Sequence, residues 1–241
     1  MNMIARLGSW AALALALAVG GCQGQTASDE AFGRRVRAYL LNHPEVLQEV
    51  AARLDARDAA AQQMDLHRAE RLLPSLRNAV ERDPRDFVAN PGGRVTVTEF
   101  YDYRCPHCAD AAPQILALIR GAPDVRFVFK EMPIFGPVSE HAARAALAVK
   151  AAGGDYLSLY TTMMATRPLT EPVIDQIAHR QGAISVPAAN PHLAATAALF
   201  NQLALGGTPA FIVGDQIIYG EDMDGVNAAI GKASGSRMAK N

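Results

Sequence analysis

The rhythm of hydrophobic and polar positions changes three times along this chain. Residues 7–19 form an apolar run rich in Ala and Leu, opened by Arg6 and closed by Gly20-Gly21. From 28 to 86 the apolar positions thin to a stripe at helical spacing: Phe32, Val36, Tyr39 and Leu40, then Leu47, Val50 and Leu54, then Ala61 and Met64. This stretch holds 21 of the 47 charged side chains, so it has little apolar face to bury against one domain. Ser28 or Asp29 is expected to cap its first helix. His43-Pro44 should break that helix, with Pro44 in the first turn of the next, and Pro74 should kink or end the second. The turn residues Asn90-Pro91-Gly92-Gly93 then mark a boundary.

Beyond it the period shortens. Residues 95–101 read as a strand, 109–119 as a helix kinked at Pro113, and 125–130 as a second strand. Strand, helix and strand at this spacing predict a parallel pair with a right-handed crossover. Four helical patterns follow at 139–152, 156–166, 171–181 and 192–205, ended by Gly206-Gly207. Strands return at 210–213 and 216–219 around a Gly214-Asp215 turn. Asp222 or Asp224 starts a last helix ending near Ile230, and the final residues lack periodicity. The expected class is α/β: a small mixed sheet with helices on its faces. Its parts are a signal peptide (1–21), a tether (22–27), a helical extension (28–86), the first part of the α/β fold (94–136), an inserted all-helical domain (137–207), the second part (208–231) and a disordered tail (232–241).

Composition narrows the function classes. With 241 residues, half of them hydrophobic, the chain can bury a sizeable core. A formal charge of −1 lacks the basic surplus that phosphate neutralisation needs, which argues against nucleic acid. No run reaches the roughly 18 apolar residues that span a bilayer. The charged start, short apolar run and small residues at its exit instead predict an export signal. Val19-Gly20-Gly21-Cys22 resembles a bacterial lipobox, which would acylate Cys22 and remove an odd thiol from an exported protein. Gln23 resembles a sorting signal for the outer membrane. Localisation is therefore expected at the bacterial cell envelope, facing the periplasm.

Two cysteines remain, in Cys105-Pro106-His107-Cys108. A structural disulfide framework needs several pairs at longer spacing, so a lone pair in an oxidising compartment reads as a redox site. If the junction opens a helix, free N–H groups and the helix dipole stabilise the first thiolate. Metal chemistry fits less well. Structural zinc wants four ligands, no second pair exists, and His43, His67, His141, His179 and His192 lack ligand spacing. Haem attachment fails at Ala109. No metal and no cofactor is expected, with copper binding by the reduced pair and a non-enzymatic adaptor lipoprotein as readings of other classes.

Glu99-Phe100-Tyr101-Asp102-Tyr103-Arg104 leading into the cysteine pair, the helical insertion, and Gly207-Thr208-Pro209-Ala210-Phe211 together resemble the DsbA-like branch of the thioredoxin superfamily. Residues 36–47 resemble the extension of its ScsC-like, often trimeric, members. The resemblance implies a thioredoxin fold with an inserted helical domain. It implies that Cys105 is an exposed nucleophile and Cys108 the deeper resolving thiol, with Pro106 in the first helical turn. His107 would stabilise the Cys105 thiolate, and Glu99 would lie beneath the pair and help move protons, with Lys130 as a possible partner. A cis Thr208–Pro209 bond would face the dithiol and pair with an extended substrate. Cys-Pro-His-Cys suits a strong oxidant, whereas Thr before Pro209 suits an isomerase. The expectation is a thiol–disulfide isomerase or reductase of exported cysteine-containing proteins, with a dithiol oxidase as the runner-up. A membrane redox partner, a lipid anchor through Cys22 and a homotrimer complete it.

Overall fold

Strand register decides which side chains can meet in this protein. The computed structural model describes residues 20–238, with side chains over 29–235. Residues 1–19 of the expected signal peptide, the side chain of Cys22 and residues 239–241 lie outside the described residues. β1 (Phe87–Ala89), β2 (Val95–Tyr101), β3 (Val125–Glu131), β4 (Ala210–Val213) and β5 (Gln216–Tyr219) form one sheet in the order β1-β3-β2-β4-β5. β2 and β3 run parallel, pairing Val97 with Phe127, Glu99 with Phe129 and Tyr101 with Glu131. The other three pairings are antiparallel. Gly214, with φ of 62°, takes the left-handed conformation that the β4–β5 turn needs.

Because strand side chains alternate, the sheet has two chemically different faces. Val97, Tyr101, Phe127, Phe129, Phe211 and Val213 fall on one face. There they meet α3 (Pro106–Gly121), α4 (Pro137–Ala151), α5 (Tyr156–Ala165), α6 (Glu171–Arg180) and α8 (Met223–Met238). Phe100, Ala210, Ile212 and Ile217 face the other way, onto α7 (Pro191–Gln202) and the end of α2 (Glu45–Glu81). The insertion between β3 and β4 is therefore not one helical body. Its first three helices and its fourth fall on opposite faces, because Leu199 and Phe200 seek Phe100 while Tyr156 and Tyr160 seek Phe129.

The N-terminal half departs further from expectation. The chain divides after Ala61 into two units. In the first, α1 (Gly20–Asn42) and the start of α2 flank a break at His43-Pro44, as the sequence predicts. The 22–27 tether is itself helical, and Ser28 and Asp29 sit inside α1 instead of capping it. Once nucleated, a helix gains a hydrogen bond with each residue added, so small polar residues extend it. Phe32, Tyr39, Leu47, Val50 and Leu54 remain exposed on these helices.

In the second unit α2 passes through Pro74 and ends at Glu81, so proline does not stop it. Packing outweighs the roughly 3 kcal/mol cost of an interior proline, since Ala69, Leu73 and Val80 are buried beside Phe100 and Phe200. The last helical carbonyls are paired as well. Thr98 Oγ1 donates to Val80 O at 3.3 Å and the Arg126 guanidinium to Glu81 O at 2.5 Å. A cation at the negative end of the helix adds to this. Residues 62–93, expected to lie outside the α/β fold, thus supply core helix and β1, a strand too short for alternation to reveal. At the other end α8 continues to Met238 through most of the expected disordered tail. Ala233 packs on the core and Ser234 Oγ donates to Ile230 O at 2.9 Å.

Lys130 is fully buried, and its Nζ reaches Asp86 Oδ2 at 2.5 Å, whose Oδ1 meets His192 Nε2 at 2.7 Å. Breaking a buried ion pair from one side leaves an uncompensated charge. Asp86→Ala is expected to destabilise the protein by about 3–5 kcal/mol in urea unfolding, and Asp86→Ala with Lys130→Met by less.

Candidate functional site

Cys105 is the N-cap of α3, with extended φ and ψ of −69° and 122°, and Pro106 supplies the first helical residue. Pro106 fits there because its missing N–H has no intrahelical partner in any case. The preceding loop is held by Asp102. One carboxylate oxygen accepts from the Arg104 N–H at 2.7 Å, and the other from the N–H groups of Ile134 and Phe135 at 2.7 and 3.0 Å. Arg104 returns a bond of 2.6 Å to Phe135 O. Asp102 was legible only as part of a motif; its anchoring of a loop thirty residues away was not.

Thr208–Pro209 is a cis peptide bond, and the Thr208 carbonyl accepts from Cys105 Sγ at 3.1 Å. Cys105 is consequently 1% exposed, not the open nucleophile expected. Both cysteines are free thiols. The Cys108 thiol donates to Cys105 Sγ, and this bond leads the forces that lower the Cys105 pKa to about 6. Burial works against it, while the Thr208 side chain, as distinct from its carbonyl, and the backbone N–H groups of Cys108 and His107 add to it. Cys108 goes the other way. Burial, its bond to Cys105 and the nearby Glu99 carboxylate push its pKa far up, so it keeps its proton. One thiol is therefore ready to attack while the other waits for a base.

The His107 ring does not lie on the sulfur. It is exposed, and Nδ1 bonds Glu221 Oε2 at 2.7 Å, which raises the imidazole pKa. To Cys105, His107 offers its backbone N–H and, more weakly, its charge, since the sulfur adds to the rise of the imidazole pKa. Asp110 completes a group with His107 and Glu221 whose ligand-type atoms lie within 4.8 Å of one another. All three are exposed.

Beneath the pair, Glu99 is fully buried on β2. Burial first, then the charge of Glu131, raises its carboxyl pKa well above the usual range, with Cys105 adding to both. Lys130 is not its partner: neighbouring positions along β3 point to opposite faces, and Lys130 pairs with Asp86 behind the sheet. The residue that does share the face is Glu131. Tyr101 donates to it at 2.7 Å, and Tyr156 makes a second short bond to the same oxygen. Tyr160 OH lies 3.5 Å from Glu99 Oε2. The sequence shows these tyrosines but not that they converge on two acids.

The sheet order, the cis Thr208–Pro209 loop and the dithiol at the start of α3 define a thioredoxin fold. Residues 96–231 match the DSBA-like thioredoxin domain, and residues 30–61 match the N-terminal domain of the copper resistance protein ScsC. The chain belongs to the DsbA-like thioredoxin family of thiol–disulfide oxidoreductases. A thioredoxin-like oxidoreductase from Silicibacter pomeroyi is 34% identical, with a TM-score of 0.61 over 66% of this chain and 97% of that one. BcfH of Salmonella enterica Typhimurium is 29% identical over 86% of this chain and 96% of its own, with a TM-score of 0.61. Proteus mirabilis ScsC, at 24% identity and a TM-score of 0.62 over 86% of this chain and 97% of its own, shares the fold. Among curated proteins, the Na(+)/H(+) antiporter NhaA 1 of Salinispora arenicola is 26% identical over 178 residues, or 65% of this chain. The match spans only 26% of that antiporter's length.

The lowered Cys105 pKa has a direct consequence. Its thiolate stabilises the reduced protein fully above about pH 9, and that contribution is lost as pH falls through about 6. Alkylation of Cys105 by iodoacetamide is expected to rise with a midpoint near pH 6. Cys108→Ala removes the leading hydrogen bond, and the midpoint should move upward toward that of a free thiol.

Proposed function

We propose that this protein is a thiol–disulfide oxidoreductase of the bacterial cell envelope that isomerises or reduces disulfides of exported proteins. The observation that carries this reading is the split between its two thiols: Cys105 depressed to about 6 and Cys108 held protonated. Strongly oxidising relatives hold the attacking thiol near pKa ~3.5, whereas reductants lie near ~7. Cys105 falls nearer the reductants, and the His107 ring is engaged by Glu221 instead of the sulfur. A reduced form stabilised only moderately makes a disulfide that is only moderately oxidising.

In this reading Cys105 attacks a substrate disulfide and Cys108 resolves the mixed disulfide, with Glu99 taking the proton that Cys108 loses. Pro106 sets the helical turn, His107 adds positive charge at the mouth, and Thr208 and Pro209 form the wall on which an extended substrate segment lies. Ile134 and Phe135 are exposed in the loop that Asp102 anchors, which suits segments whose apolar residues are not yet buried. A membrane redox partner would reset the dithiol. Dithiol oxidation is the second reading, favoured by the Pro-His dipeptide between the cysteines.

The exposed apolar residues of 32–54 and the match of 30–61 to the ScsC N-terminal domain support a homotrimeric stalk. Among the described residues no helix is long and apolar enough to cross a membrane. The lipobox-like sequence supports attachment through Cys22 on the periplasmic side, with Gln23 favouring the outer membrane.

Side-by-side assays on a scrambled and a reduced multi-disulfide protein are expected to show faster isomerisation than free thiol. An isomerase rate no better than free thiol, with rapid oxidation of the reduced protein, would establish the oxidase instead. Light scattering should report a trimer. Leu47→Asp with Leu54→Asp should yield a monomer that loses isomerase activity but still reduces glutathione disulfide. Metabolic labelling with palmitate should mark the wild type and not Cys22→Ser; an unlabelled wild type rules out the anchor.

A further inference from the structure

Beneath the dithiol lies a second acid that the mechanism so far does not use. Glu131 closes β3 one strand away from Glu99, in register with Tyr101 and on the same face of the sheet. Such diagonal neighbours lie roughly 7–8 Å apart at the backbone, close enough for their carboxyl groups to interact in a dry interior. Glu131 Oε1 accepts from Tyr101 OH at 2.7 Å and from Tyr156 OH, while Tyr101 OH also meets Tyr103 OH at 2.8 Å. Glu131 Oε2 and Glu99 Oε1 are both buried without a hydrogen-bond partner. Two buried carboxyls, each with an unpartnered oxygen, cannot both be ionised cheaply.

We propose that Glu131 is a positioning residue for proton transfer at the dithiol: its tyrosine-anchored carboxyl, by ionising ahead of Glu99, keeps the proton on Glu99 and so sets when Glu99 can take one from Cys108.

The division of labour follows from the hydrogen bonds. Phenol donors favour the carboxylate form of Glu131, whereas Glu99 has only the long Tyr160 contact. Burial raises Glu131 to about 8, against the pull of the two phenols, with Asp102 and Asp86 adding smaller upward pushes. Among the described residues, the groups facing Glu99 are Glu131, Tyr160, Tyr103, Cys105 and Cys108. None is a lysine or arginine, so the proton on Glu99 answers to Glu131 and the sulfurs. The two acids therefore titrate as a pair.

The reaction step balances as follows. Cys105 is joined to a substrate sulfur. Cys108 transfers its proton to ionised Glu99, and its thiolate attacks Cys105 Sγ. The Cys105–Cys108 bond forms, the bond to the substrate breaks, and the electron pair leaves on the substrate thiolate, which water protonates. Glu99 must be ionised for this to begin, and Glu131 determines the pH at which it is.

The inference rests on the dithiol as the reacting pair and not on the direction proposed above, so glutathione disulfide is the probe. Full-chain protein is reacted with it in quenched flow, and decay of the glutathionyl–Cys105 species is followed by mass spectrometry across pH. Glu131→Gln keeps an acceptor for both tyrosines and removes the charge. It is expected to move the resolution midpoint down by about one pH unit or more while leaving the Cys105 alkylation midpoint near 6. In a Glu99→Gln background the same change should move nothing, since the effect acts through Glu99. Tyr156→Phe, which keeps Glu131 but strips one donor, should shift the midpoint in the same direction by less, and serves if Glu131→Gln fails to fold. An unchanged midpoint in Glu131→Gln, or one that still moves in the Glu99→Gln background, overturns the proposal. A wild type that never forms the mixed disulfide would instead remove the redox reading itself.

Discussion

The parallel register between β2 and β3 is the constraint from which the rest of the site follows. By setting Glu99 opposite Phe129 and Tyr101 opposite Glu131, it places two acids and an aromatic wall on the face that carries the cysteines. The same alternation sends Phe100 and Lys130 to the opposite face, where Asp86, His192 and the end of α2 receive them. A one-residue slip of β3 would turn its set over, bringing Lys130 under the dithiol and stranding Glu131 among leucines. Burial of both faces is what makes such a slip expensive, and all seven residues of β2 are buried.

On that platform the chemistry is a gradient of proton affinity. At the helix N-terminus, the Cys108 thiol, the Thr208 side chain and backbone N–H groups make Cys105 a good thiolate. A few ångströms inward the same medium is dry and carries negative charge, so Cys108, Glu99 and Glu131 all hold protons more tightly than usual. Environment alone thereby makes one thiol a ready thiolate and keeps the other protonated. His107, the residue whose identity most often draws attention in such a motif, acts here from the rim: its ring answers to Glu221 and its main chain to the sulfur.

Much of this was visible before any coordinates. The strands at 95–101, 125–130, 210–213 and 216–219 lie where alternation and turn residues put them, because strand periodicity is local and their boundaries carry Gly and Pro. What failed was local too. Pro74 reads as a kink or a stop, and it is not a stop: α2 continues, since the burial of Leu73 and Val80 is a tertiary gain that no helix propensity contains. β1, three residues long, offers no period to detect and exists because the edge of β3 is there to pair with it. The insertion reads as four equal helices, but which face each covers depends on partners elsewhere in the chain, Phe129 for Tyr156 and Phe100 for Phe200.

The sequence by itself determined the reactive pair, the strand-to-helix junction that activates it and the Thr-Pro segment that meets it. Each rests on short spacing or on a residue with one backbone role. Only the tertiary structure decided that Cys105 is covered, that Lys130 serves Asp86 and not Glu99, and that Glu131 and four tyrosines stand beneath the sulfurs. Those relations come from pairing across the sheet and from burial, and a carboxylate's proton affinity depends on what surrounds it in space, not on its neighbours in the chain.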